Sequence, residues 1–326
     1  MLLNGRMELD GLILSANTLD ETVVVGTAYG QDDSELFLQT NGEFTVEYTA
    51  DGVKQTTTAD FDSSAMRFSA TWKPDNGTAT KIRGTFTTLT TNVSGTIGNK
   101  FTSLDFSRKN LITEIQVPNG AITTLNLSGC TQLASLSCYN NSITQIKLNT
   151  TALKYCVAHK NKLTSIDFGK NTALTYLNVS SNQLTALDVS KNTALTQLLV
   201  VSNQLTALDV SKNTALTYLN VNSNQLTALD VSKNTALTYL YMSNAHALQE
   251  LNLSNDKITT LYMIMRTGSN LHNIIAVNAS ATVYDVLNKN FATFAAVGTL
   301  TTDNTDASAV LRATAAAKGW TVTIEE

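Results

Sequence analysis

The chain has 326 residues, 43 % of them apolar and 15 % charged, with a net charge of −4. That balance suits a folded chain, and no stretch reaches the ~18 uninterrupted apolar residues of a membrane span. The first 99 residues hold 13 acidic and 6 basic side chains and the rest 13 and 16, so neither part carries the dense basic stripe of a nucleic-acid binder.

Residues 1–90 read as short strands. Phe44-Thr45-Val46-Glu47-Tyr48 alternates cleanly, and so does Met66 to Trp72. Turn pairs Asp10-Gly11, Asn41-Gly42, Asp51-Gly52 and Asn76-Gly77 separate such runs. Asn41-Gly42, between ELFLQT and EFTVEY, predicts a hairpin. About seven short strands in this span imply a small antiparallel β-sandwich of immunoglobulin-like type. A Thr/Gly-rich passage, residues 84–98, joins it to the rest of the chain.

From residue 101 the sequence repeats. The word NQLTALDVSKNTALT occurs unchanged at 182–196, 203–217 and 224–238, followed in turn by QLLVVS, YLNVNS and YLYMSN. The period is 21 residues, L-x-x-L-x-V-x-x-N-x-L-x-x-L-D-V-S-K-N-T-A. Units open at Ile112, Leu133, Leu153, Leu174, Leu195, Leu216, Leu237 and Ile258. The unit at Leu133 is one residue short, and the unit at Leu237 slips after Asn244.

A period of this size means a solenoid, because one coil cannot bury six apolar side chains alone and must share them with its neighbours. The last three positions of L-x-x-L-x-V alternate as a strand does, so successive coils form a parallel sheet. The return segment lacks a 3.6-residue rhythm and is rich in Ser, Thr, Asn and Asp, which favour turns. It is expected to be extended or turn-like, with a second short sheet at most. Two asparagine columns, Asn182/Asn203/Asn224 and Asn171/Asn192/Asn213/Asn234, are expected to satisfy buried backbone groups. Asp188, Asp209 and Asp230 stand three residues before Lys191, Lys212 and Lys233 and read as solvated pairs. The glycines of a calcium-binding repeat are missing, and no metal site is expected. Cys130, Cys138 and Cys156 are odd in number and irregularly spaced, which argues against a disulfide framework or zinc.

The pattern from 101 to 280 resembles a leucine-rich repeat. More narrowly, it is similar to the 21-residue nested class of bacterial cell-surface proteins such as the internalins. The departures are Cys156, in place of the usual leucine, and Tyr241-Met242-Ser243-Asn244, where the asparagine arrives one residue early. The resemblance implies an exported interaction protein that binds through its sheet face, with no catalytic residues.

Diversity among the copies is confined to outward positions of the variable hexamers. Inward positions stay apolar: Leu198/Val200, Leu219/Val221 and Leu240/Met242. Outward positions concentrate tyrosine, whose large area, polar tip and few rotors suit an interface. The candidate ligand-binding residues are therefore Tyr139, Tyr155, Tyr176, Asn178, Leu199, Tyr218, Asn220, Tyr239, Tyr241 and Tyr262. Val201 adds to the apolar spot, and Lys154, His159 and Thr260 form a rim. Plain strand preference is the competing explanation for the aromatics.

At the end, Thr305 to Lys318 reads as a helix stopped by Gly319, and Trp320 with TVTIEE covers the open end of the stack. The expected architecture is mainly β: a right-handed leucine-rich-repeat solenoid with a parallel sheet, preceded by the small antiparallel β-sandwich and closed by a short α/β C-terminal cap. The boundaries are 1–90, 91–280 and 281–326. No G-x-S-x-G, H-E-x-x-H, C-x-x-C or phosphate loop is present, and His159, His246 and His272 are scattered. The expectation is a monomeric, non-enzymatic binding or adhesion protein without cofactor, taking a protein or glycan and not nucleic acid. A structural spacer is the alternative. The start, MLLNGRMELDG, is not a signal peptide as it stands. A cell-surface location presumes a leader or lipid anchor removed upstream; otherwise the protein is cytoplasmic.

Overall fold

In a computed structural model the chain forms two compact units, Met1–Thr150 and Thr151–Glu326. The described residues are strand segments between Leu2 and Thr90, then 101–107, 111–243, 247–263, 271–291, 298–303 and 305–325. The turn pairs Asp10-Gly11, Asn41-Gly42, Asp51-Gly52 and Asn76-Gly77, the slip at Asn244, and His246 lie outside them.

In the first unit, Phe44–Ala50 pairs antiparallel with Val53–Thr58 and Thr80–Gly84, and Thr22–Thr27 pairs with Thr80–Gly84. Leu36–Thr40 pairs instead with Arg67–Trp72 and Thr88–Thr90. The expected hairpin across Asn41-Gly42 is therefore not formed, since the strands flanking it enter different sheets. The hairpin lies one step later, where Ala50 opposes Val53 across a two-residue connection. Alternation fixes which face a strand buries, but not which neighbour it pairs with. The passage read as a joint also contributes a strand: Thr88–Thr90 pairs antiparallel with Leu36–Thr40 and parallel with Glu114–Gln116.

The repeat then sets in. Glu114–Gln116 and Ser135–Ser137 pair in parallel, and Phe101–Asp105, Thr124–Leu127 and Gln145–Leu148 make a second parallel set. In the second unit the ribs are Tyr155–Val157, Tyr176–Asn178, Gln197–Leu199, Tyr218–Asn220, Tyr239–Tyr241 and Thr260–Tyr262, all parallel. Each step is 21 residues, so Leu177, Leu198, Leu219 and Leu240 stack. Leu219, Val221, Leu226 and Leu229 are all buried, as the repeat grammar requires. Cys156 stands in the same leucine column and is also fully buried.

Return segments 163–168, 184–189 and 205–210 form neither strand nor helix, and each contains a bend. From Ala228–Asp230 onward the same position does: it pairs in parallel with Glu250–Asn252, then Asn273–Ala276, Thr299–Asp303 and Thr321–Glu325. Between these last strands the crossover becomes helical. The first helix, α1 (Ala281–Asn290), is capped by Ser280 and buries Val283, Tyr284 and Leu287. The second, α2 (Asp306–Ala317), is capped by Thr305 and ends before Gly319, whose φ of +84° favours glycine. Sequence reading finds α2 but not α1, although Ser280 before an apolar i, i+1, i+4 set is a start signal. Trp320 is buried with its ring edge-on to Phe291 at 4.8 Å, and TVTIE forms an edge strand.

Both asparagine columns satisfy buried backbone, as expected. Asn182 Nδ2 donates to the Ala158 and Val179 carbonyls, both at 3.0 Å, while its Oδ1 accepts the Leu163 amide at 3.0 Å. Asn203 and Asn224 repeat this. The residue before each, Ser181, Ser202 or Ser223, has φ of 53–56°. The chain thus turns through a left-handed residue, and the asparagine behind it ties buried carbonyls. The second column gains a member that the repeat reading omits: Asn255 donates to the Asn234 carbonyl at 2.7 Å. In the first unit Cys130 occupies the equivalent place, its thiol directed at the Phe106 carbonyl at 3.9 Å. The aspartates act locally as well: Asp188, Asp209 and Asp230 each accept the amide of the serine two residues on at 2.8 Å. These carboxylates thus close turns of their own backbone, beyond any pairing with the lysines.

Candidate functional site

The ribs present their odd positions outward. In register, Tyr155, Tyr176, Gln197, Tyr218, Tyr239 and Thr260 form one column, and Val157, Asn178, Leu199, Asn220, Tyr241 and Tyr262 a second. A parallel strand repeat of about 4.8 Å sets the ring spacing. Tyr155 stacks on Tyr176 with centroids 4.6 Å apart and planes at 20°. After Gln197 a second group follows: Tyr218 lies 6.1 Å from Tyr239 and 5.5 Å from Tyr241, and Tyr241 lies 5.8 Å from Tyr262. Tyr155, Tyr239 and Tyr262 keep 42, 45 and 46 % of their surface open although each packs against another ring. Six candidate tyrosines are thus gathered into a pair and a group of four. Tyr139 belongs to the first unit, where it is half-buried in the turn after Ser135–Ser137.

Burial raises the Tyr176 phenol above its ordinary value, with the neighbouring Tyr155 adding to the rise and a hydrogen bond with Asn178 working against it. The amides at the site are partly engaged. Asn178 Oδ1 accepts the Ser180 amide at 3.1 Å, and Asn220 Oδ1 accepts the Asn222 amide at 3.2 Å. Leu199 is half-buried, and Val157, at an outward position, is buried. Along one margin runs a threonine ladder. Thr175, Thr196, Thr217, Thr238 and Thr259 each donate Oγ1 to the carbonyl one coil back, at 2.9–3.3 Å. Sequence reading passes over it, although the Thr that follows the opening Leu or Ile in each coil from Leu174 to Ile258 is its signal. His159 ends the first rib on the opposite margin; burial, then the charge of Lys160, lowers its pKa.

A polar cleft of about 500 Å³ near the C-terminus is lined by Ser254, Asp256, Asn278, Asp303 and Thr305. Its buried carboxylate, Asp303, is fully engaged. Oδ2 accepts the Tyr284 hydroxyl at 2.7 Å and the Asn278 amide at 2.8 Å, and Oδ1 accepts the Thr305 hydroxyl at 2.7 Å. It joins α1 to the cap of α2 and offers no free group for chemistry. Among the described residues no three His, Cys, Asp or Glu side chains are placed to hold a metal ion, and no helix is long and apolar enough to cross a membrane.

A 21-residue period, parallel ribs over a leucine core and stacked asparagines define a leucine-rich-repeat solenoid. Among solved structures the chain is similar to the functional domain of InlJ from Listeria monocytogenes, described as including a cysteine ladder. Identity is 29 %, the TM-score 0.47, and the match covers 61 % of this chain and 52 % of that one. The chain thus spans about half of the InlJ structure. It is also similar to the internalin InlF of Listeria monocytogenes, at 15 % identity and a TM-score of 0.38, covering 74 % of this chain and 87 % of that one. A third similarity is to the plant peptide hormone receptor RGFR1 in complex with RGF2, at 17 % identity and a TM-score of 0.41, covering 60 and 40 %. No family model and no curated protein matches the chain. Cys130, Cys138 and Cys156 occupy three different positions of their coils.

Proposed function

We propose that this protein is a non-enzymatic binding or adhesion protein that takes a protein or glycan on the tyrosine-bearing face of its ribs. The observation that carries the reading is the combination of fixed and free positions. Of the fifteen residues that recur unchanged, the leucines and the valine fill the core, the two asparagines and the last threonine form ladders, and the aspartate closes a turn. The varied residues supply the exposed aromatic groups. Large rings left open to water across neighbouring strands are what a partner surface buries with most gain.

The reading extends to the rest of the chain. The N-terminal strands form an immunoglobulin-like sandwich over 1–90, the solenoid runs over 91–280, and residues 281–326 cap it. The protein acts as a monomer on a bacterial surface. Substituting Tyr176, Tyr218 and Tyr239 together by serine tests the core of the proposal. Binding to cells or extracellular material that retain the parent chain should fall at least tenfold, while the thermal transition stays cooperative. Unchanged retention by the triple variant rejects the rib face as the site.

A further inference from the structure

The rib face of the second unit is unevenly charged. Its segments, residues 154–160, 175–181, 196–202, 217–223, 238–243 and 259–263, contain no aspartate or glutamate. Their basic side chains are Lys154, His159 and Lys160, all in the first coil. The carboxylates of these coils lie on the return side instead. There Asp167, Asp188, Asp209 and Asp230 are tied to amides two residues on, with Lys170, Lys191, Lys212 and Lys233 three residues after them. A chain of net charge −4 thus carries one face that is positive at one end and neutral along the rest.

The two lysines are not needed by the fold. Lys154 precedes the rib Tyr155–Val157 and Lys160 follows it, and both are exposed. The next coil has Thr175 and Ser181 in these places. Lys160 and Ser181 share a φ of 54°, so the backbone is the same with or without the charge. Along the chain Tyr155, which stacks on Tyr176, lies between the two lysines. Two cations flanking an aromatic pair, with no anion on the face, complement an acidic partner.

Six tyrosines on five ribs, packed with planes at 20–37°, line the face with these lysines. Large area, a polar tip and few rotors make tyrosine a residue of protein-binding surfaces. Building on the binding role above, we infer that the face holds an extended acidic segment of a partner protein. Its carboxylates lie at Lys154 and Lys160, and its uncharged remainder runs along Tyr176, Tyr218 and Tyr241.

The test is selection of phage-displayed random dodecapeptides on the full chain, on a Lys154→Thr/Lys160→Ser variant and on a Lys191→Ser/Lys212→Ser control. Both substituted residues in the first variant copy the next coil, so folding is retained. The expected result is enrichment of Asp and Glu on the parent chain and the control, lost on the first variant. A synthetic peptide from that pool should bind the first variant about fivefold more weakly, two exposed charge pairs being removed. Acidic enrichment that persists on the first variant overturns the inference. Neutral peptides that are lost on Tyr176→Ser/Tyr218→Ser overturn it while leaving the rib face as the site. Tighter binding of oligogalacturonate than of the selected peptides assigns the face to an acidic glycan instead. No enrichment on any chain overturns the inference and leaves the binding role to the test of the triple tyrosine variant.

Discussion

Asn192 Nδ2 lies 2.8 Å from the Asn171 carbonyl and 3.1 Å from that of Phe168, one coil back. Asn213 repeats the pair of bonds to Asn192 and Val189, and Asn234 to Asn213 and Val210. These residues are fully buried, and the Oδ1 atoms of Asn192, Asn213 and Asn234 accept no hydrogen bond. The ladder therefore works through donors alone. Asn213→Ala removes two buried bonds and strands two carbonyls, a loss of about 3 kcal/mol. Asn213→Asp, which cannot donate when ionised, should lose more. Urea unfolding of both variants measures this; a loss below that of an exposed Gln204→Ala control contradicts the ladder.

Cys156 is fully buried in the leucine column, and burial pushes its thiol up to about 12. That lies above the ordinary thiol value of 9.0. The stability it contributes is therefore complete below pH 9 and is lost as pH rises toward 12. The thiol should fail to react with a disulfide reagent at about pH 8 in the folded chain and react fully in denaturant. A Cys156→Leu variant, which restores the residue of the other coils, should unfold at higher denaturant than the parent at about pH 10.

Tyr176 owes part of its raised pKa to Tyr155, after burial itself. Tyr155→Ala opens the ring to water and removes that neighbour. The Tyr176 phenol should then titrate at lower pH, closer to the ordinary 10.0, as followed by tyrosinate absorbance against a Tyr155→Ala/Tyr176→Phe reference. No downward movement means that the stacked pair is not formed in solution.

Asp303 holds α1, the left-handed turn at Asn278 and the cap of α2 together. Burial opposes its charge, yet hydrogen bonds from Tyr284, Thr305 and the Asn278 amide hold its pKa below the ordinary value. A depressed carboxylate stabilises above its unfolded value near ~4 and loses that contribution as pH falls. Tyr284→Phe removes one of these bonds and should cost about 1–2 kcal/mol at neutral pH. The difference from the parent should shrink below about pH 4. Thermal melts at neutral pH and about pH 3 check both statements.

Gly298 approaches the neighbouring strand so closely that a Cβ there would lie 2.4 Å from the His272 carbonyl oxygen. Gly298→Ala should therefore destabilise by more than about 1 kcal/mol. At Gly319 the obstacle is backbone angle alone, so Gly319→Asn should be milder than Gly319→Ala. Chemical denaturation of the three variants ranks them.

The repeat was legible because its rules are local. A side chain at Leu219 or Leu226 has only adjacent coils as neighbours, so a period in the letters becomes a period in space. For the same reason Asn182, Asn203 and Asn224 declared their place, and the tyrosine columns followed from counting in steps of 21. Where copies drift, the signal weakens: Asn255 and Cys130 hold ladder positions that only their hydrogen bonds reveal.

Choices among partners lay beyond the letters. Asn41-Gly42 looks like a hairpin turn, but Leu36–Thr40 and Phe44–Ala50 enter different sheets, because a strand's pairing is decided by all the edges available to it. The split of the tyrosines into a pair and a group of four follows from Gln197 in their column, whereas the ring angles of 20–37° were settled by ring rotation, which no spacing encodes. Contacts one period apart wrote the coil, its core and its ladders into the chain's letters. Strand partners, the helical crossovers at the C-terminal end and the Asp303 carboxylate that locks them were settled only in the folded molecule, because they depend on elements meeting across separations that do not repeat.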